Sequence, residues 1–230
     1  MKITVIYGQS HQGNTYSLTQ LFLNCLQRND SQITEFFLPD EGITYCVGCQ
    51  NCFIRGERTC PHAAAVQKIV AAIDSADLII IASACYVFGM TGQLKVLFDH
   101  LGYRFMAHRP EASMFKKQAL VLSTAAGAGM SKVTKAISFN LFMWGVASIY
   151  RYGLRIGAAS FEKIPARRQV ATERKVKRIS EKILKKRVRV KTMTRIVFAV
   201  MRLNQKKNDW NAIDKEHWEK HGWLGFTKPF

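Results

Sequence analysis

The chain has 230 residues, 48% of them hydrophobic, with a formal net charge of +18. That is enough apolar material for one well-buried domain plus an extension, and no apolar run approaches the roughly 18 residues of a membrane-spanning helix. The charge is segregated: residues 161–210 hold 17 Lys or Arg against four acids, a net of +13, which leaves about +5 for the other 180 residues. Basicity is therefore a property of one segment.

In chain order, Lys2–Gly8 reads as a strand buried on both faces, because its middle is continuously apolar. A helix is expected from Asn14 to Arg28, and a second strand at Ile33–Leu38. Ala63–Asp74 reads as a helix with Val66, Ile69, Val70 and Ile73 on one side. Asp77–Ser83 is a central strand, followed by a helix over Thr91–Tyr103. A strand at Gln118–Thr124, a helix at Gly129–Trp144 and a strand at Ala147–Ile156 follow. Five strands joined by crossover helices predict an α/β fold: a doubly wound five-stranded parallel sheet in the flavodoxin-like order.

The domain organisation predicted is a sheet domain over residues 1–160 and a basic helical C-terminal extension over 161–230. Pro165 and the Arg167-Arg168 pair mark the boundary. Beyond it lies a basic helix with Val176, Ile179, Ile183, Leu184 and Val188 on one side, among Lys175, Lys177, Arg178, Lys182, Lys185, Lys186 and Arg187. A second helix has the apolar middle Ile196–Met201, and a tail carries Trp210, Trp218 and Trp223. Docking of the apolar side on the sheet domain or on a second subunit is preferred over contact with an anionic membrane surface. Nothing supports specific nucleic-acid binding: no zinc-finger, RRM or homeodomain pattern is present.

The first strand turns into its helix through Gly8-Gln9-Ser10-His11-Gln12-Gly13-Asn14-Thr15. This is nearly a P-loop, with Asn14 where a triphosphate-binding loop needs lysine. Hydroxyls, an amide and a helix N-terminus without that lysine suit a single terminal phosphate. In an α/β chain, a monophosphate at the end of strand one suggests flavin mononucleotide. An ordinary capped strand-to-helix turn is the alternative. Two further loops strengthen the flavin reading. Ser83-Ala84-Cys85-Tyr86-Val87-Phe88-Gly89 offers aromatics and small residues to a planar ring. Ser123-Thr124-Ala125-Ala126-Gly127 is small enough for backbone to approach a ligand.

Four of the six cysteines, Cys46, Cys49, Cys52 and Cys60, fall within fifteen residues. With no secretory signal, such crowding points to a metal, a cluster or redox work rather than to disulfides. The C-x2-C-x2-C-x7-C run and Cys60-Pro61 resemble a bacterial ferredoxin motif with a longer last gap. A structural zinc and free thiols remain open.

Ser10 with Gly13-Asn14-Thr15, the stretch Cys46-Val47-Gly48-Cys49-Gln50-Asn51-Cys52, and Ser83-Ala84-Cys85-Tyr86 leading to Gln93-Leu94-Lys95 together resemble the flavodoxin-like NADPH-dependent FMN reductase family. Within it, the iron-sulfur flavoproteins are the nearest likeness, over roughly residues 1–157. Two departures stand out: Ala84-Cys85-Tyr86 where Pro-Val-Tyr is common, and His62-Ala63-Ala64 near where Asp-Asp-Met often follows the last cysteine. The resemblance implies FMN held at its phosphate by Ser10, Gln12, Gly13, Asn14 and Thr15. Its ring would lie along Ala84, Cys85, Tyr86, Val87, Phe88 and Gly89, and along Ser123, Thr124, Ala125 and Gly127. It implies a cytoplasmic oxidoreductase in which NAD(P)H reduces FMN and the electrons pass to a quinone, flavin, nitro compound or protein acceptor. No residue is assigned as catalytic; the flavin carries the chemistry. The four cysteines would hold a [4Fe-4S] cluster, and the assembly would be a homodimer or homotetramer. The alternative is a flavin-bearing electron carrier or redox sensor without turnover.

Overall fold

The computed structural model describes residues 1–158, 160–185 and 187–230; Lys186, counted above in the basic side, lies outside them. Five strands, β1 (Lys2–Tyr7), β2 (Gln32–Phe37), β3 (Leu78–Ala84), β4 (Gln118–Ala125) and β5 (Ser148–Arg155), form one sheet in the order β2-β1-β3-β4-β5. Every pairing is parallel. The order reverses direction between β1 and β3, which is the switch point where doubly wound sheets bind ligands.

The strand pattern explains the layers. Along β1, Ile6 faces one core while Ile3, Val5 and Tyr7 face the other; β3 divides likewise into Ile79 and Ile81 against Leu78, Ile80 and Ala82. Successive side chains point to opposite faces, so a strand buried twice must be apolar throughout. The first face is covered by α3 (Ala63–Ser75), α4 (Gly92–His100) and α5 (Met130–Met143), through Val66, Ile69, Leu94, Leu97, Val133 and Ile137. The second is covered by α1 (Asn14–Leu26), with Leu18, Phe22 and Leu26, and by α6 (Ala166–Lys185).

α6 is the basic amphipathic helix of the sequence. Its Val176, Ile179 and Ile183 are buried in the same core as α1, and Leu184 packs at the edge. One helix cannot cover a face of five strands, and α6 supplies the second. The helix layer of the sheet thus runs past residue 160, to Lys185.

Two further helices, α7 (Thr192–Lys206) and α8 (Ala212–Lys220), build a third cluster beside the sheet. Phe198, Trp218 and Trp223 pack there with Met106 and Phe115. Phe198 stacks on Trp218 at 4.9 Å. The tryptophan-rich tail contains a helix, whose start Asn211 caps, its side chain accepting from the Asp214 amide at 3.1 Å. The segment around the cysteines, expected as loop, holds one short helix, α2 (Asn51–Ile54).

Candidate functional site: a phosphate-and-ring cleft and a cysteine loop

The turn after β1 is tight because Gly8 is pressed against α4's entry. Its amide donates to the Ala82 carbonyl at 2.9 Å, and a Cβ there would lie 2.1 Å from the Thr91 hydroxyl. α1 then begins after Gly13, with no side-chain cap and no acid in its first turn. The first amides of a helix have no intrahelical acceptor, and they sum with the helix dipole to favour an anion. Thr15 is buried at this end, and its hydroxyl bonds that of Thr124 at 2.7 Å. That contact joins the first turn of α1 to the end of β4.

The other two loops meet behind it. The Cys85 amide donates to the Thr124 carbonyl at 2.9 Å. Its thiol packs on Gly129, where a Cβ would come within 2.4 Å of the sulfur. Beyond Cys85 the chain makes a hairpin turn, with Tyr86 and Gly89 exchanging backbone bonds of 3.0 and 2.8 Å. Val87 and Phe88 both take positive φ, 47° and 59°. Such a turn favours Asn-Gly, and for a β-branched valine the conformation is strained. Val87 is 98% exposed and Phe88 60%, so two apolar side chains stand at the rim.

The result is a cleft of about 340 Å³ at the switch point, lined among others by Asn14, Thr15, Ala84, Cys85, Tyr86 and Thr124. The size falls in the range of small-ligand sites. No acidic residue is among the described lining residues. A phosphate monoester finds hydroxyls, an amide and helix N–H groups at one end, and a planar ring finds small residues and Tyr86 at the other. The residues present fit FMN.

Of the expected contacts, Asn14, Thr15, Ala84, Cys85, Tyr86, Thr124 and Ala125 line the cleft. Ser10 and Gln12 are exposed on the outer part of the turn, and Gly127 is exposed with open space around it. Gly13 sets the helix start from beneath His11, whose ring a Cβ would meet at 2.8 Å. Val87, Phe88 and Gly89 form the rim, and Ser123 lies wholly buried below the cleft floor. Sequence reasoning missed Ile156 and Ala158, which line the cleft from the chain leaving β5. Extending the strand-end rule by one strand would have found them. It also missed Gln9, buried, whose side-chain oxygen accepts from the Ala84 amide at 3.3 Å. A polar residue at the very end of a buried strand was the available signal.

The cysteine loop is built differently. Cys46 and Cys49 are exposed, Cys52 and Cys60 half-buried, and all four are unpaired thiols. Burial pushes the Cys52 thiol up, and Cys60, Cys46 and Cys49 add to this, opposed by Arg109. The Cys60 sulfur lies 3.9 Å from His100 Nδ1, and His100 Nε2 bonds the Thr44 carbonyl at 2.8 Å. Among the described residues, no group of three or more His, Cys, Asp or Glu converges closely enough to hold a metal ion.

Part of what holds this loop comes from the far end of the chain. Arg109, buried, donates to the Cys52 carbonyl and to Asp214 of α8, and lies 3.7 Å from Glu57. Asp214 is fully buried and also bonds His108 Nδ1 at 2.7 Å. Asn211 donates to the Phe53 carbonyl at 3.3 Å.

Comparison with known proteins agrees with this geometry. The profile of the NADPH-dependent FMN reductase family matches residues 1–157. An FMN-dependent NADH:quinone oxidoreductase of Paraburkholderia phymatum is 31% identical over 188 residues, 74% of this chain and 87% of that protein. An iron-sulfur flavoprotein of Archaeoglobus fulgidus is 26% identical over 157 residues, 65% of this chain, and the match spans just 66% of that relative's length. Among solved structures, an azoreductase from Bacillus anthracis shares the fold, with a TM-score of 0.63 at 15% identity over 79% of this chain and 99% of the other. A profile match over the whole sheet, together with a cleft at its switch point, decides the assignment: the chain belongs to the NADPH-dependent FMN reductase family.

Proposed function

We propose that the chain binds FMN in the switch-point cleft, takes reducing equivalents from NAD(P)H, and passes them to a quinone, flavin, nitro compound or protein acceptor. The carrying observation is the acid-free cleft in which the α1 N-terminus, Asn14 and the Thr15–Thr124 pair face a bed of small residues and Tyr86. When bound, the flavin supplies hydride and electron transfer. Asn14, Thr15 and Thr124 would hold the phosphate by hydrogen bonds, and the helix end would balance its charge. The backbone of Ala84 and Cys85 would support the ring, and the exposed Tyr86 and Phe88 at the rim would leave room for nicotinamide and acceptor in turn. Use of one site by both would give ping-pong kinetics. The test is anaerobic titration of the FMN-loaded protein with NADH and with NADPH. Bleaching by either, followed by turnover with a quinone, is expected; a flavin left oxidised by both overturns the reductase reading in favour of a carrier.

A second reading takes its support from the four cysteines on one exposed loop and from relatives called iron-sulfur flavoproteins. In it, Cys46, Cys49, Cys52 and Cys60 hold a [4Fe-4S] cluster and the protein is an electron carrier or redox sensor. Less than about one iron per chain after anaerobic reconstitution refutes it.

A further inference from the structure

The segment after α6 has a charge pattern that the flavin chemistry does not use. From Lys182 to Asn208 the sequence carries ten Lys or Arg and no acid. α7 lies within it. Its inner side is spent on the fold: Thr194, Phe198 and Gln205 are buried, and the Gln205 amide donates to the Ala107 carbonyl at 2.7 Å. Its outer side is a second apolar face. Met193, Ile196, Val200 and Leu203, at spacings of three, four and three, form one stripe along the helix, exposed by 60, 51, 45 and 59%. A surface helix of a globular domain has one apolar stripe and a polar back. Here the back is aliphatic, with Lys206 and Lys207 at or just past the helix end; Arg195 lies over Phe230 and Arg202 over Phe198, flanking the stripe on the side of the buried face.

We propose that the outward face of α7 seats the protein on an anionic membrane surface. The combination of an aliphatic stripe, neighbouring Lys and Arg and no acid is what places a helix in the plane of the lipid headgroups. Aliphatic side chains enter the acyl boundary while the long basic side chains reach back to anionic headgroups. A second copy of the chain is the weaker occupant, because it would bring a second acid-free segment of the same sign against the first. The stripe itself carries only Met, Ile, Val and Leu, so it offers a protein partner no directional hydrogen bond. α6, the helix whose apolar side first suggests membrane contact in the sequence, has that side buried against the sheet; the membrane face passes to α7. Among the described residues no helix is long and apolar enough to cross a bilayer, so the contact is peripheral.

The test is sedimentation of the full chain with phosphatidylcholine vesicles, with and without phosphatidylserine, at low and high salt. Binding to the anionic vesicles alone, weakened by salt, is expected. The variant carrying Ile196→Ser, Val200→Ser and Leu203→Ser keeps the charge, and its partitioning should fall by about tenfold or more, since three aliphatic side chains lose their burial. These positions are exposed, so its thermal midpoint and flavin content should match the parent. No binding to anionic vesicles at low salt overturns the proposal. Undiminished binding of the serine variant overturns it too, because charge alone then accounts for the contact. A parent that ignores vesicles and sediments as a dimer, where the serine variant sediments as a monomer, assigns the stripe to an interface between copies. A parent that binds polyglutamate and not vesicles assigns it to an acidic protein.

Discussion

The flavin cleft and the cysteine loop both leave the carboxyl ends of parallel strands, yet they are stabilised in opposite ways. The cleft is made by the sheet itself. Gly8 bonds Ala82, Cys85 bonds Thr124, and Thr15 bonds Thr124, all within a few residues of a strand end. The cysteine loop contains no strand and is held by side chains from elsewhere in the chain: His100 of α4, Arg109, Asp214 of α8 and its cap Asn211. The strand-end cleft thus rests on the sheet itself, whereas the cysteine loop leans in part on the C-terminal cluster. Four expectations break or sharpen this contrast.

The largest effect belongs to Asp214. Asp214→Ala removes the buried carboxylate from Arg109, leaving it only the Cys52 carbonyl and the more exposed Glu57, and should cost roughly 3 kcal/mol in urea unfolding. Cys52 should become faster to react with thiol reagents, while FMN content is retained in whatever fraction is folded. A loss below about 1 kcal/mol would show the pair to be dispensable. Next is Thr15→Glu, which puts a carboxylate beside the phosphate position and should weaken FMN binding by at least about 100-fold. The same variant should leave the cysteine reactivities unchanged, and unchanged FMN affinity would remove the phosphate from this loop.

The third concerns pH. His217 on α8 donates from Nε2 to the Pro110 carbonyl at 3.0 Å, and its ring lies 4.4 Å from that of His221, tilted by 41°. Burial first, and His221 second, lower its pKa to about 4 from an ordinary 6.5. The unfolded chain therefore binds the proton more readily, and stability falls as pH drops from about 6.5 toward 4, by roughly 2 kcal/mol. His217→Gln should flatten that part of the profile, as followed by chemical denaturation at each pH. The smallest effect is at the rim: Val87→Asn with Phe88→Gly supplies residues that tolerate positive φ and should stabilise by about 1 kcal/mol. Urea midpoints read it directly.

The sheet was legible because a strand buried on both faces has no choice but to be continuously apolar, as in Leu78–Ala82. The phosphate turn was legible because glycines, hydroxyls and a helix start must be adjacent in sequence to be adjacent in space. What could not be read was pairing across distance. Arg109 and Asp214 are separated by 105 residues, Thr15 and Thr124 by 109, and no local pattern announces either. α6 was recognisable as amphipathic from Val176, Ile179 and Ile183, but periodicity says which side is apolar without saying what covers it. The strained Val87-Phe88 turn goes against local preference, so sequence statistics argue for something else there.

The bond between the Thr15 and Thr124 hydroxyls bears on how firmly a phosphate would be held. Each buried hydroxyl is the other's partner, so neither is orphaned. On the proposed reading, a phosphate would exchange that bond for new ones, and the net gain from these two side chains would be correspondingly small. Retention would then rest on the charged helix end and on the ring, and a flavin lost from the cleft could be replaced without refolding.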